Sequence, residues 1–166
     1  NLTYLNRVFH ARLWNSFEPG KNQELEFGLN TLLGNINAET EHEKQAVSAI
    51  DLTYTYELNP LQSIKVQTEI YTASYLLEEP NKANQTGGFI ALTGDVTSKS
   101  QLGLRYSSIG SHGNTGYKHD GFAFSATRQL TDTAKLRLQY NASGFEADSV
   151  AFQFIFGMGP HAHVLQ

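Results

Sequence analysis

The sequence predicts an all-β fold of antiparallel, up-and-down strands, and three observations predict it. Apolar and polar side chains alternate with a period of two along most of the chain. Turn-forming residues interrupt that alternation at roughly regular intervals. Helical periodicity is nearly absent, and the best helical candidate, Asn37 to Ala46, is short and polar and reads as a loop. The alternation is plainest between Ala134 and Met158. There Leu136, Leu138, Tyr140 and Ala142 alternate with Lys135, Arg137, Gln139 and Asn141. After a break over Gly144 to Asp148, Val150, Phe152, Phe154, Phe156 and Met158 alternate with Ala151, Gln153, Ile155 and Gly157. Successive side chains of a strand point to opposite faces, so each run has one apolar face and one mostly polar face.

Composition narrows the classes further. At 166 residues the chain is long enough for one domain. A formal net charge of -4 with no basic stripe gives no reason to propose nucleic acid as a partner. Mean hydropathy is -0.37, and no apolar run approaches the roughly 18 residues of a spanning helix, so any membrane reading must be a strand reading. Cysteine is absent, which leaves neither a disulfide frame nor a thiolate metal site. The chain opens at Asn1, without Met or a signal peptide, almost directly in strand-like sequence.

Taken in order, the first run, Thr3 to Trp14, sets Leu5, Phe9, Ala11 and Leu13 against Asn6, His10 and Arg12, with Arg7 interrupting the apolar face. The connection Ser16 to Asn22 holds the turn dipeptide Pro19-Gly20. Leu25, Phe27, Leu29 and Thr31 then alternate with Glu24, Glu26, Gly28 and Asn30, and a charged loop is expected over Asn35 to Gln45. Ile50, Leu52, Tyr54 and Tyr56 oppose Asp51, Thr53 and Thr55. A short turn at Leu58 to Leu61 leads to Ile64, Val66, Thr68 and Ile70 against Lys65, Gln67, Glu69 and Tyr71. A polar loop carrying Pro80 spans Glu78 to Gly87, and Phe89 to Val96 is apolar on both faces. After a turn at Thr97 to Ser100, Leu102, Leu104 and Tyr106 oppose Gly103, Arg105 and Ser107. A Gly/Ser/His loop covers Ile109 to Asp120. Phe122, Phe124 and Ala126 oppose Ala123, Ser125 and Thr127, and Leu130 to Thr133 turns the chain into its last two strands. About nine strands result.

Two kinds of barrel fit such strands. A water-soluble barrel puts the apolar face inside; a membrane barrel puts it outside, against lipid, with polar residues lining the lumen. Two features favour the membrane. Short connections centred on Asn59, Ser98 and Asp132 alternate with long ones at 35–45, 78–87 and 109–120, as tight periplasmic turns alternate with longer outer loops. In addition Glu24, Glu26, Asp51, Lys65, Glu69, Arg105, Lys135 and Arg137 all fall opposite the apolar face. In a soluble core they would cost several kcal/mol per unpaired ion; in a watery or ion-paired lumen they cost little. Tyr54, Tyr56, Tyr106 and Tyr140, on the apolar face, suit a girdle at the membrane interface. The expected fold is therefore an antiparallel up-and-down transmembrane β-barrel in a bacterial outer membrane. A barrel of this kind has an even number of strands, so either strands precede the first run or Asn1–Trp14 is no strand and the other eight close alone. Because the first run alternates as well as the others, 1–158 reads as the strands of the C-terminal part of a longer barrel and 159–166 as a His-containing tail.

Asp51-Leu-Thr-Tyr54, Glu69-Ile-Tyr71, Gly103-Leu-Arg-Tyr106, Leu136-Arg-Leu-Gln-Tyr140 and the ending Phe156-Gly-Met-Gly-Pro-His-Ala-His163, in this order, resemble the C-terminal half of a bacterial outer-membrane family. Its members are porin-like β-barrels often labelled zinc-regulated outer-membrane receptors or porins. The resemblance runs from about Leu25 onward and implies a much longer parent chain. It departs at the end, where His161-Ala-His163-Val-Leu-Gln166 replaces a longer His-containing run with a terminal aromatic. The zinc label implies regulation more than transport.

For chemistry, His161 and His163 are the one closely spaced His pair, and residues two apart on an extended chain point the same way, so both could reach one Zn²⁺. Two ligands are too few for a structural site, and a solvated tail is the commoner meaning. His42, His112 and His119 fall in expected loops and His10 in the lumen. The lumen charges either form a cationic ladder of Arg105, Lys135 and Arg137 facing an acidic group of Glu24, Glu26, Asp51 and Glu69, or pair to fill the interior. No nucleophile elbow, zinc-protease motif or phosphate loop is present, so an enzyme is not expected, and Ser107 or Ser108 near His112 carries no informative spacing. The expected function is a porin-like channel passing small polar solutes or ions, with the outer-membrane lipid bilayer as partner, no required cofactor and homo-oligomers allowed. Two alternatives stay open: a closed structural or adhesive barrel whose outer loops bind partners, and a soluble ligand-binding barrel.

Overall fold

A computed structural model describes residues 4–38, 41–75, 84–112, 118–144 and 147–157. Nine strands follow one another: β1 (Tyr4–Gly20), β2 (Gln23–Ala38), β3 (Glu41–Asn59), β4 (Gln62–Tyr75), β5 (Asn84–Thr97), β6 (Ser100–His112), β7 (Lys118–Gln129), β8 (Ala134–Ser143) and β9 (Ser149–Phe156). They form one sheet in sequence order, every neighbour antiparallel. Among the described residues β1 and β9 do not pair, so the sheet is open. The all-β, up-and-down expectation holds, and the strand number with it.

The register carries each face straight across the sheet. One row runs Leu13, Leu29, Ile50 and Ile70 over β1 to β4; another runs Leu92, Leu104, Phe124, Tyr140 and Val150 over β5 to β9. The opposite face holds the row Trp14, Gly28, Asp51, Glu69, Phe89, Ser107, Gly121 and Ser143. No dry centre exists among the described residues. None of their large side chains is fully buried, and the buried hydrophobics are Ala73 and Ala134. Phe152 is 68% exposed, Phe154 61% and Leu138 50%, where a water-soluble barrel would bury them. An apolar face this continuous far exceeds the patch a soluble monomer leaves in water.

The tight hairpins close as turn chemistry requires. Asn22 takes the left-handed conformation (φ 63) that Asn tolerates better than other non-glycine residues, and its carbonyl accepts from Glu57 N at 2.9 Å. Asn59 Oδ1 accepts from Leu61 N at 2.9 Å, and Thr97 Oγ1 from Lys99 N at 3.2 Å.

Several boundaries differ from expectation. β1 continues through the expected connection 16–22 to Gly20, leaving Lys21 and Asn22 as the turn. Pro19 is tolerated there because the register with β2 shifts between Phe17 and Gly20, the mark of a bulge, so its missing N–H interrupts no regular ladder. The charged stretch 35–45 and the polar candidate 37–46 are strand, not loop: Asn35 pairs with Lys44 and Ala38 with Glu41. Backbone pairing continues past the apolar band because it needs no particular side chains. That hairpin's connection is 39–40 alone, so the expected contrast of long and short connections fails there. β5 begins at Asn84 and leaves 76–83 as the connection, while β6 reaches His112 and β7 starts at Lys118, leaving 113–117. His42, His112 and His119 accordingly lie in β3, β6 and β7 rather than in loops.

Candidate functional site

The polar face of the sheet is the candidate site, and the strand register builds it. Glu24, Glu26, Asp51, Lys65, Glu69, Arg105, Lys135 and Arg137 all occupy it, because each falls in a cross-strand row on the same face as the row through Gly28, Asp51 and Glu69. The sequence period therefore places them together on one surface. Their distribution along that surface is uneven. The four acids sit on β2, β3 and β4; Arg105, Lys135 and Arg137 sit on β6 and β8. Strands lie about 4.8 Å apart, so the acids of β2 and β3 stand roughly 20 Å or more along the sheet from the bases of β8.

At the acidic end Asp51 is the organising group. Its carboxylate accepts from Asn30 Nδ2 at 2.7 Å and meets Arg12 Nη2 at 3.5 Å, with the Asp51 side chain only 14% exposed. It lies over Gly28, where a Cβ would collide with Asp51 Oδ2. Glycine is what lets the carboxylate settle on the strand. Nearby, Ser16 Oγ donates to Glu24 Oε1 at 2.9 Å. Glu69 stands directly across from Asp51, a like-charge pair that Arg12 offsets on one side.

At the basic end the Arg105 guanidinium stacks over the Phe89 ring, 4.1 Å from its centroid, a cation–π contact. Gln139 Nε2 donates to Asn141 Oδ1 at 2.6 Å, and Asn141 Nδ2 to Ser149 Oγ at 3.1 Å. Arg137 lies between Thr127 and Gln153, its Nε buried without a hydrogen-bond partner. His10 falls on this face, opposite Leu32, and His119 falls on it opposite Ile109. His161 and His163, with the whole 159–166 tail, lie outside the described residues. Among the described residues no cluster of three or more His, Asp or Glu could hold a metal ion.

Sequence reasoning placed Tyr71 on this face but gave no face to two further aromatics, Trp14 and Phe89. Trp14, Tyr71 and Phe89 share it with the charges. Parity alone gives Trp14 and Tyr71. Phe89 was hidden because its strand is apolar on both faces, and only the pairing with Glu69 and Ser107 assigns it.

The other face ends in polar groups where lipid would give way to headgroups. Tyr106 Oη donates to Asp120 Oδ1 at 2.8 Å, Lys118 Nζ stands 3.1 Å from Asp120 Oδ2, and Tyr140 Oη donates to Asp148 Oδ2 at 2.5 Å. All lie toward the rim of connections 113–117 and 144–148, on strands whose centres carry Leu104, Phe124 and Leu138. Tyr54 and Tyr56 lie toward the opposite rim, Tyr56 pairing with Gln23 beside the first hairpin.

No protein-family model matches the chain, and no curated protein matches it. The zinc-regulated label implied by the sequence resemblance thus gains no support. Among solved structures the chain is similar to "Outer-membrane expressed OmpT of Vibrio cholerae", at 16% identity and a TM-score of 0.61, over 82% of this chain and 46% of that one. The chain thus spans less than half the length of that structure's chain. At this identity the likeness concerns architecture: the nine strands are arranged as in an outer-membrane β-barrel.

Proposed function

We propose that the chain forms part of the wall of an outer-membrane channel, passing small polar solutes or ions along its polar face. One observation carries this reading. The eight charges share one face, and the other face is apolar and exposed across all nine strands. Such a sheet suits hydrocarbon on one side and water on the other. An open sheet leaves unpaired backbone at β1 and β9, which hydrocarbon does not tolerate, so further strands complete the barrel in this reading. Arg12 and Lys65 share the acidic end, but Arg105, Lys135 and Arg137 lie on β6 and β8, far along the wall from the acids of β2 and β3, which favours the transverse-field alternative over pairing between these two groups. No catalytic step is assigned to it. The test is conductance of the intact protein in planar bilayers. Steady ohmic openings in KCl support the channel; protein that inserts and stays silent removes it.

A closed barrel is the second reading, favoured by the bulk of Trp14, Tyr71 and Phe89 on the polar face. There Asp51, Asn30 and Arg12 would serve as interior filling. The zinc linkage rests on the sequence resemblance together with His161 and His163. Zinc titration of the intact protein, with and without His161→Ala and His163→Ala, tests it.

A further inference from the structure

We infer that the basic end of the polar face holds a binding subsite for a small carboxylate carrying hydroxyl groups, a sugar acid by chemical class. The inference rests on the reading that this face borders water, and it adds a site and a solute class to it. A pocket of about 360 Å³ lies across β6, β7 and β8, bordered by Arg105, Ser107, His119, Gln139, Asn141 and Ser143. Its floor is Gly121 and Ala123, so β7 is low between two taller neighbours. That volume is within the range of small-molecule sites, and convergent polar groups around a partly apolar floor are what such sites share.

Three features select the ligand. Arg105 supplies the positive charge, and among the described residues no carboxylate pairs with its guanidinium. The Phe89 ring meets its Cζ at 4.1 Å in a cation–π contact, which uses no N–H group and so leaves them to meet a carboxylate two at a time. The amides are oriented by their own chain of hydrogen bonds. Gln139 donates to Asn141 and Asn141 to Ser149, which leaves Gln139 Oε1 and further N–H groups to meet hydroxyls. Asp120 also borders the pocket, but its carboxylate accepts from Tyr106 and pairs with Lys118. Both partners belong to the opposite face, so the pocket presents little negative charge. A single guanidinium matches one negative charge, which favours a carboxylate over a phosphate monoester with its charge of about -1.5 to -2.

The probe is sodium gluconate, titrated calorimetrically into the intact protein folded in detergent micelles, with sorbitol as its uncharged counterpart. Gluconate is expected to bind and sorbitol not. Arg105→Gln should weaken gluconate at least about tenfold, the value of a charge-assisted bidentate contact. Ala123→Leu, which fills the floor and keeps the guanidinium, should weaken it as well. Lys99→Gln, the same charge change in the exposed β5–β6 turn, should not. Circular dichroism checks that each variant keeps its strands. Absence of gluconate binding, equal binding of sorbitol, tighter binding of glucose 6-phosphate, or gluconate binding unchanged in both pocket variants overturns the site. Calorimetry needs no conduction: gluconate binding by a protein silent in bilayers removes the channel and keeps the subsite, and conduction without gluconate binding does the reverse.

Discussion

Leu104 and Ser125 lie on neighbouring strands, one step apart in register and on opposite faces, so the same substitution at each weighs the two faces against one another. Leu104 sits at the centre of the apolar row, between Leu92 and Phe124, and is 53% exposed. Arginine there would place a guanidinium near the bilayer midplane, at about 2–4 kcal/mol. It would also withdraw the exposed half of a leucine from hydrocarbon, roughly 1 kcal/mol of the 1.5–3 kcal/mol that a fully buried leucine contributes. Leu104→Arg should therefore destabilise by about 3–5 kcal/mol, or some two to three and a half powers of ten in the folding equilibrium. Ser125→Arg sits between Gly103 and Gln139 on the polar face, with no side chain on Gly103 to crowd it. It should cost under about 1 kcal/mol, as a surface change does. Equilibrium unfolding in urea, with the protein folded into phosphatidylcholine vesicles, reads both values. A Ser125→Arg cost equal to or larger than that of Leu104→Arg would refute the assignment of faces.

The Gly28 position makes a second test. Gly28→Ala would put a methyl against the Asp51 carboxylate and force it off Asn30 and Arg12, at about 1–3 kcal/mol for the displaced charged hydrogen bonds. In an Asp51→Ala background the same change should cost close to nothing, so a vesicle-unfolding double-mutant cycle that shows no coupling contradicts the geometry. Trp14 is the one tryptophan in the chain and lies on the polar face beside Gly28. Its fluorescence in vesicles should be quenched by aqueous acrylamide and left unchanged by lipids brominated along their acyl chains; quenching by the bromolipid alone would reverse the orientation of β1.

What was legible in the sequence followed from the period of two. Leu136, Leu138 and Tyr140 against Lys135, Arg137 and Gln139 gave β8 and both its faces, because an element held between two solvents must keep every second residue alike. The same rule brought eight charges, scattered from Glu24 to Arg137, onto one surface. The stretch 35–45 was illegible for a related reason. Beyond the apolar band neither face has to be apolar, so Asn35 to Ala38 and Glu41 to Lys44 extend β2 and β3 by backbone pairing without an alternation to reveal it. Relations between strands were equally hidden. That Asp51 lies over Gly28, or that Arg105 covers Phe89, depends on register and on hairpin lengths, and a residue's neighbours in sequence carry no record of either.

A single-cysteine scan of β4 tests the division of faces most directly, since the chain has no cysteine of its own. Each residue from Ile64 to Tyr71 is replaced in turn, and the protein in vesicles is exposed to a charged, water-soluble maleimide. Cysteines at Lys65, Gln67, Glu69 and Tyr71 should react, and those at Ile64, Val66, Thr68 and Ile70 should stay protected, giving a period of two along the strand. Reaction in the opposite phase, or equally at all eight positions, would contradict a wall with lipid on its apolar face and water on its polar one.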